Sequence, residues 1–210
     1  MAVIVVGGHS RSVGKTGVAA GIIAALPEFH WTAAKITQHG HLACSVDGGP
    51  CDCASEDHSW AITEERDRGG ESDSSRFLVS GAVRSLWVHT REGMLAEAMP
   101  RLHQELAGAE NAILESNSVL GFLHPDLYLM VLDAANPDFK TSAKEYLDRA
   151  DAVIVRNSTG QFDGAEMSLK WVSEKPIFRI APPPYVTPEL IEFVRARLPR
   201  PAGGETASAG

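Results

Sequence analysis

Residues 2–26, AVIVVGGHSRSVGKTGVAAGIIAAL, join an apolar run to a glycine-containing bend and a helical pattern rich in small residues. The run at 2–6 does not alternate between polar and apolar residues, which is typical of a strand buried on both faces of a parallel sheet. A strand, a glycine bend, a Lys-Thr pair and a helix in this order predict a loop whose backbone amides bind phosphate groups.

The spacing of this loop differs by one residue from the standard phosphate-binding pattern. Five residues rather than four separate Gly8 from Gly14, so His9 stands where the standard pattern has its first glycine. We expect Lys15 to stabilise charge on the β and γ phosphates and Thr16 to hold magnesium. The predicted nucleotide-binding residues of the loop are Gly8, His9, Ser10, Arg11, Ser12, Val13, Gly14, Lys15, Thr16 and Gly17.

Strand and helix patterns alternate along most of the chain. Alternation of this kind indicates right-handed crossovers and an α/β fold. We therefore predict a three-layer, mostly parallel sheet of about seven strands, as in P-loop NTPases. The predicted strands are 2–6, 31–36, 83–89, 111–116, 127–133, 152–156 and 176–180, and the predicted helices are 15–26, 93–106, 141–150 and 188–198.

Length and composition limit the class of protein. The 210 residues are 44% hydrophobic, which suits one domain over residues 1–200, followed by a polar tail at 201–210 that we expect to be disordered. A net charge of −8 argues against a nucleic-acid partner, because such binding needs clustered Lys and Arg. No apolar run reaches the length of a membrane span, and the first strand begins at Ala2 without a leader pattern. We expect a cytoplasmic protein that does not enter membranes.

Two family resemblances extend the interpretation. The loop from Gly8 to Thr16 resembles that of dethiobiotin synthetases, which also carries one extra residue. Lys35-Ile-Thr-Gln-His39, then Asp73-Ser-Ser-Arg76 before Ser80-Gly81-Ala82, then Ile113-Leu-Glu115 resemble, in order, the MobB family of molybdenum-cofactor biosynthesis. This second match covers residues 2 to about 116. The signature lysine of related dimeric ATPases would fall at Ser10 and is absent.

Ligands of open parallel sheets bind beyond the carboxyl ends of the strands, and we expect the site to lie there. Lys35, His89, Glu115 and Asp133 are expected to ring it. The implied catalytic residues are Lys15, Lys35 and Glu115, and the implied magnesium ligands are Thr16, Glu115 and Asp73. Glu115 would bind the metal directly or through water, or position an attacking water.

Each of these residues also has a simpler interpretation. Lys35 and Glu115 would then be solvated strand ends, and Asp73 and Arg76 a pair on a helix surface. Asn157, which follows a strand where this class often recognises a purine, is predicted to contact the base, although an asparagine is also common in turns.

Residues 38–75 form a long polar stretch that contains all three cysteines. Cysteines in a reducing compartment serve metal or redox chemistry more often than disulfides. Zinc or an iron–sulfur cluster, a redox thiol pair, and a loop that merely contains cysteine all remain open, because one residue between Cys51 and Cys53 is not a standard spacing. The candidate metal ligands are Cys44, Cys51, Cys53, His39, His41 and His58.

Three functions fit these residues. The first is a magnesium-dependent protein that binds and hydrolyses ATP or GTP during cofactor or metal-centre maturation, with a partner enzyme. The second is an ATP-dependent small-molecule ligase or kinase, and the third is a nucleotide-gated adaptor with negligible turnover. The resemblance implies a homodimer in each case.

Overall fold

The computed structural model describes residues 1–39, 59–133, 136, 138–156 and 174–199. These residues form eight strands and five helices. The strands are β1 (Ala2–Gly8), β2 (Trp31–His39), β3 (Trp60–Glu64), β4 (Arg84–Arg91), β5 (Asn111–Glu115), β6 (Leu127–Asp133), β7 (Ala152–Arg156) and β8 (Ile177–Ile180). The helices are α1 (Lys15–Ala25), α2 (Asp73–Val79), α3 (Leu95–Leu106), α4 (Thr141–Tyr146) and α5 (Pro188–Arg197).

The strands form one sheet in the order β3-β4-β2-β5-β1-β6-β7-β8. All neighbouring pairs are parallel except β3 and β4, which are antiparallel. The predicted α/β fold with a mostly parallel sheet is confirmed. The sheet was expected to have about seven strands, and the described residues form eight, because the edge strand β3 was not anticipated.

The missed elements lie in the stretch 38–75, which we expected to be a polar insertion. Strand β2 continues to His39, and both β3 and α2 lie within or at the end of this stretch. The short edge strand β3 is only partly buried and mixes polar with apolar residues, so it lacks the apolar pattern of the buried strands.

The core lies on both faces of the sheet. Along β6, Leu127, Leu129 and Val131 pack on the face covered by α1, α2 and α5. The intervening Tyr128, Met130 and Leu132 pack on the face covered by α3 and α4. Both faces of the strand are therefore apolar, which explains why the buried strands show no alternation in the sequence.

Helix ends follow local chemistry. The hydroxyl of Thr187 accepts a hydrogen bond from the Leu190 amide at 3.3 Å, as expected for the cap of α5. Helix α3 begins two residues later than predicted because Gly93 has a φ of 84°, which a helix cannot contain. Helix α4 ends at Tyr146 and continues only as a 3-10 turn at Leu147–Arg149.

In the part of the chain that the structure describes, each helix is too short or too polar to span a bilayer.

Candidate functional site

The central strand β1 delivers the loop to the carboxyl edge of the sheet. It lies between β5 and β6, with Val6 in register with Glu115 and Gly8 in register with Val131. The chain then bends until α1 begins at Lys15. Ser12 and Gly14 have φ values of 57° and 102°, and this left-handed backbone at Gly14 is one that a side chain would strain.

A cavity of about 420 Å³ opens beside this loop. Its walls come from the loop, the ends of β2 and β5, the start of α2, and the residues around the start of α4. Four basic and three acidic side chains line it. The basic residues are Arg11, Lys15, Lys35 and Lys140, and the acidic residues are Glu71, Asp73 and Glu115.

Lys15 is held over the loop that precedes it. Its Nζ donates a hydrogen bond to the carbonyl oxygen of Ser10 at 2.9 Å. Burial lowers the pKa of the Lys15 ammonium group to about 8, and the nearby charge of Glu115 offsets only part of that effect. The protein therefore stabilises the charged form of Lys15 less than water does.

Lys35 lies between two carboxylates. Its Nζ contacts Glu115 Oε1 at 2.5 Å and Asp73 Oδ2 at 2.8 Å. Burial would lower the pKa of Lys35, but the two carboxylates outweigh it and raise the pKa above the ordinary value. Burial would likewise raise the pKa of Asp73, yet Lys35 and a hydrogen bond with Thr16 hold it below its usual range.

Thr16 completes this network from the first turn of α1. Its hydroxyl donates a hydrogen bond to Glu115 Oε2 at 2.8 Å. Glu115 is 2% exposed, and each of its two oxygens contacts one protein group, Lys35 at Oε1 and Thr16 at Oε2. The structure therefore brings Lys15, Thr16, Lys35, Asp73 and Glu115 together at one site.

Strand register explains the meeting of Lys35 and Glu115. The two residues pair directly across β2 and β5. Lys35 is the first partly exposed residue of β2, and Glu115 is the last residue of β5. Their assigned roles in catalysis and metal binding stay predictions.

Two residues expected at the site lie elsewhere. His89 lies on β4, one strand farther from β5 than Lys35, and its ring packs against Trp87 at 3.6 Å between ring centres. Burial, followed by the charge of His39, lowers the pKa of His89 to about 4. Asp133 lies on the far side of β1, where its carboxylate contacts Arg156 at 3.5 Å. Neither residue lines the cavity.

His9 is one of the predicted nucleotide-binding residues, and its side chain does not face the cavity. It is 2% exposed, and its amide donates to the Val131 carbonyl at 3.1 Å. The ring nitrogen Nε2 lies 3.0 Å from the carbonyl oxygen of Asn136. From the predicted loop residues, the cavity is lined by Gly8, Arg11, Ser12 and Lys15.

Asn117 was missed by sequence reasoning. Its side-chain amide accepts a hydrogen bond from the Gly8 amide and donates one to the Gly8 carbonyl, both at 2.8 Å. A Cβ at Gly7 would lie 2.2 Å from Asn117 Oδ1, so the glycine leaves room for this contact. The position of Asn117 two residues after Glu115, at the carboxyl end of β5, is the signal that could have found it.

Lys140 and Trp87 also line the cavity without having been anticipated. Trp87 pairs in register with Lys35, and its indole Nε1 donates to the Thr37 hydroxyl at 3.2 Å. A tryptophan in an apolar strand carries no sequence signal of a site, because core strands contain the same residue type.

Several predictions fall outside the described residues. They concern Asn157 as a base contact and Cys44, Cys51, Cys53, His41 and His58 as metal ligands. His39, the remaining candidate ligand, ends β2. Within the described ranges no group of three or more His, Cys, Asp or Glu side chains is placed to hold a metal ion.

Comparisons with known proteins bear on the fold. No protein-family model matches the chain, and no curated protein does. Among solved structures, the 54 kDa signal recognition particle protein of Aeropyrum pernix K1 in complex with GDP is similar with a TM-score of 0.51. The identity is 17%, and the match covers 94% of this chain but only 46% of that longer one.

Two further solved structures are similar at lower scores. HypB from Helicobacter pylori in complex with nickel has a TM-score of 0.45 and 16% identity, covering 92% of this chain and 83% of that one. MobB from Bacillus subtilis has a TM-score of 0.40 and 18% identity, covering 93% and 98%. Sheet order, loop position and structural likeness together assign this chain the fold of the P-loop NTPases.

Proposed function

We propose that this protein binds a magnesium–nucleoside triphosphate, ATP or GTP, and hydrolyses it. The observation that carries the proposal is the contact of Thr16 and Lys35 with the same buried carboxylate, Glu115, beside Lys15. A hydroxyl, carboxylates and two cations at the carboxyl edge of the central strand are the groups that a triphosphate and its metal require.

The residues present fit a magnesium ion. Magnesium prefers oxygen ligands and takes few of them from protein, the remainder coming from phosphate and water. The Thr16 hydroxyl and the carboxylates of Glu115 and Asp73 are the oxygens available to hold it. When bound, the ion would neutralise charge on the phosphate oxygens.

Each remaining group has a role that follows from its surroundings. The loop amides up to Gly17 would cradle the phosphates, and Lys15 would face the β and γ phosphates. Lys35 keeps Asp73 ionised, because its ammonium group lowers the pKa of that carboxyl. Glu115 would either hold the metal or orient the attacking water.

The biological role that we favour is cofactor or metal-centre maturation of the MobB type, with a partner enzyme. It is supported by the order of the motifs 35–39, 73–76 and 113–115 along the chain. It is also supported by the closeness of Lys35, Asp73 and Glu115 in space. One residue of each motif, Lys35, Asp73 and Glu115, lies at the cavity beside the loop.

One observation favours a ligase or kinase as the second candidate. The cavity extends past Lys35 to Thr37, Gln38 and Trp87, beyond the loop that would hold phosphate. This extension offers an indole ring and polar groups to a small substrate. A homodimer remains the expected assembly for both functions.

Nucleotide affinity tests the proposal. Lys15→Ala should weaken binding of ATP and GTP by about tenfold or more, measured by titration calorimetry with magnesium, because a charged phosphate contact is lost. Arg195→Ala is the matched control, since Arg195 carries the same charge at an exposed position of α5, where it contacts Glu28 at 3.2 Å. Unchanged affinity in Lys15→Ala would contradict nucleotide binding at this loop.

The metal assignment is tested with the same titrations. Glu115→Gln should reduce the gain in affinity that magnesium gives, whereas Glu110→Gln, at an exposed carboxylate, should not.

Measurement of phosphate release distinguishes the maturation function from the ligase or kinase function. Release stimulated by a partner protein supports maturation, whereas release that requires a small carboxylate or amine supports the ligase or kinase.

A further inference from the structure

The segment just before α4 is attached to the phosphate loop through His9. The amide of Lys140 donates a hydrogen bond to the His9 carbonyl at 2.9 Å. The His9 ring contacts the Asn136 carbonyl at 3.0 Å, and its centre lies 5.1 Å from that of the Phe139 ring. One buried histidine therefore holds the backbone of Lys140 at the rim of the cavity.

The cations of the cavity are not equally neutralised. Lys35 has two carboxylate partners, as described above. Across the described ranges, no acidic side chain lies within ion-pairing distance of Arg11, Lys15 or Lys140. Three cations without an ion-pair partner among the described residues surround one cavity and favour an anionic ligand, although the net charge of the chain is −8.

The side chain of Lys140 experiences this excess of positive charge. Burial, and then the charges of Arg11 and Lys35, lower the pKa of its ammonium group. An incoming polyphosphate would relieve this repulsion. A lysine in such surroundings gains more from a phosphate than an isolated surface lysine does.

We propose that Lys140 binds the terminal phosphate of the nucleoside triphosphate and that His9 is the residue that positions it. This inference rests on the proposed function of the site. The loop amides and α1 would hold the inner phosphates, whereas Lys140 enters from the segment after β6 and shares the cavity with Lys35 and Glu115. A cation from within the chain would then serve where the signature lysine at Ser10 is absent.

The test compares nucleoside triphosphate with the corresponding diphosphate. Lys140→Ala should weaken binding of the triphosphate by about tenfold and change binding of the diphosphate little, because only the triphosphate has a γ phosphate. Lys140→Arg should restore much of the affinity. Lys144→Ala is the matched control, since Lys144 is an exposed lysine one turn further along α4 and does not line the cavity.

The role of His9 is tested by a double-mutant cycle. His9→Ala should weaken triphosphate binding in the natural protein and have little further effect when Lys140 is already alanine. Additive losses would show that His9 supports the fold alone and would overturn its positioning role. Thermal unfolding of each variant reports separately on stability.

The outcomes distinguish this inference from the proposed function. If the unaltered protein binds no triphosphate, both are wrong. If it binds triphosphate through Lys15 but Lys140→Ala has no effect, or weakens di- and triphosphate equally, only the assignment of Lys140 to the terminal phosphate is overturned.

Discussion

Lys15 shows how burial sets the charge of a single residue. In the free protein its pKa is about 8, because the ammonium group is taken out of water. Bound phosphates would raise that pKa again, since they stabilise the charged form. The proposed nucleotide binding would therefore be linked to the protonation state of this lysine.

This linkage predicts a pH dependence with a definite sign. Well below pH 8 the lysine is already charged, so binding takes up almost no proton there. Above about pH 8 the free protein has lost the proton that the complex keeps, so triphosphate affinity should fall as pH rises. Calorimetry in buffers of different ionisation enthalpy should show uptake of roughly half a proton or more near pH 8.5.

Lys15→Arg provides the control for this measurement, because an arginine stays charged over the whole range. Its complex should form without proton uptake at alkaline pH. Uptake of the same size in Lys15→Arg would mean that another group is responsible.

Among residues, those of the phosphate loop were the easiest to predict. Glycines, a lysine and a threonine at fixed offsets specify a local backbone shape and its charge. His9 shows the limit of this reasoning. Its position in the loop suggested a ligand contact, whereas its surroundings, Asn136 and Phe139, come from a segment more than one hundred residues away.

At the scale of elements, the start of α1 packs against the segment before α5. A Cβ at Gly17 would lie 2.5 Å from the ring of Tyr185, and a Cβ at Gly14 would lie 3.0 Å from it. The missing side chains at Gly14 and Gly17 thus leave room for the ring of Tyr185. This contact joins the phosphate loop to the end of the sheet at β8.

Gly17→Ala should therefore lower the free energy of unfolding by about 1–3 kcal/mol, because the Tyr185 ring would have to move away from the new methyl group. Urea unfolding measures the change. Gly108→Ala is the control, since a Cβ there meets nothing within 4 Å.

Replacing Tyr185 by alanine should remove most of the cost of Gly17→Ala, because the obstructing ring is gone. An equal cost in both backgrounds would show that the effect comes from the helix start itself and not from packing on Tyr185.

Strands and helices were predictable to the extent that both of their faces are buried. The central strands β1, β6 and β7 are nearly continuous apolar runs, and they were found at or close to their true bounds. The edge strand β3 and the short helix α2 were not found. Their residues mix polar and apolar types, because each element has at least one side exposed to water.

The whole molecule is acidic, yet its cavity carries more basic than acidic side chains. Long-range repulsion from the net charge therefore opposes an anionic ligand, and local cations attract it. Salt should screen the local attraction of the partly open cavity. We predict that triphosphate affinity falls several-fold as ionic strength rises from low to high, with a smaller fall for diphosphate.

The parent nucleoside is the control for this salt effect, because it carries no phosphate. Its affinity should change little over the same range of ionic strength. Equal salt dependence of nucleoside and triphosphate would contradict an electrostatic contribution from Arg11, Lys15 and Lys140.

The sequence by itself determined the α/β class, the phosphate loop and the first residues expected around it. These features depend on patterns of neighbouring residues, whose physical effects are local. Family resemblance together with the rule for carboxyl strand ends also pointed to Lys35, Asp73 and Glu115.

Only the tertiary structure decided which of these residues meet. Lys35 reaches Glu115 across 80 positions of the chain, and Gly8 reaches Asn117 across 109. In the tertiary structure, His89 and Asp133 do not line the cavity, whereas Lys140 does. The reason is strand order: pairing between distant segments places β2 and β5 side by side, and no local pattern encodes that choice.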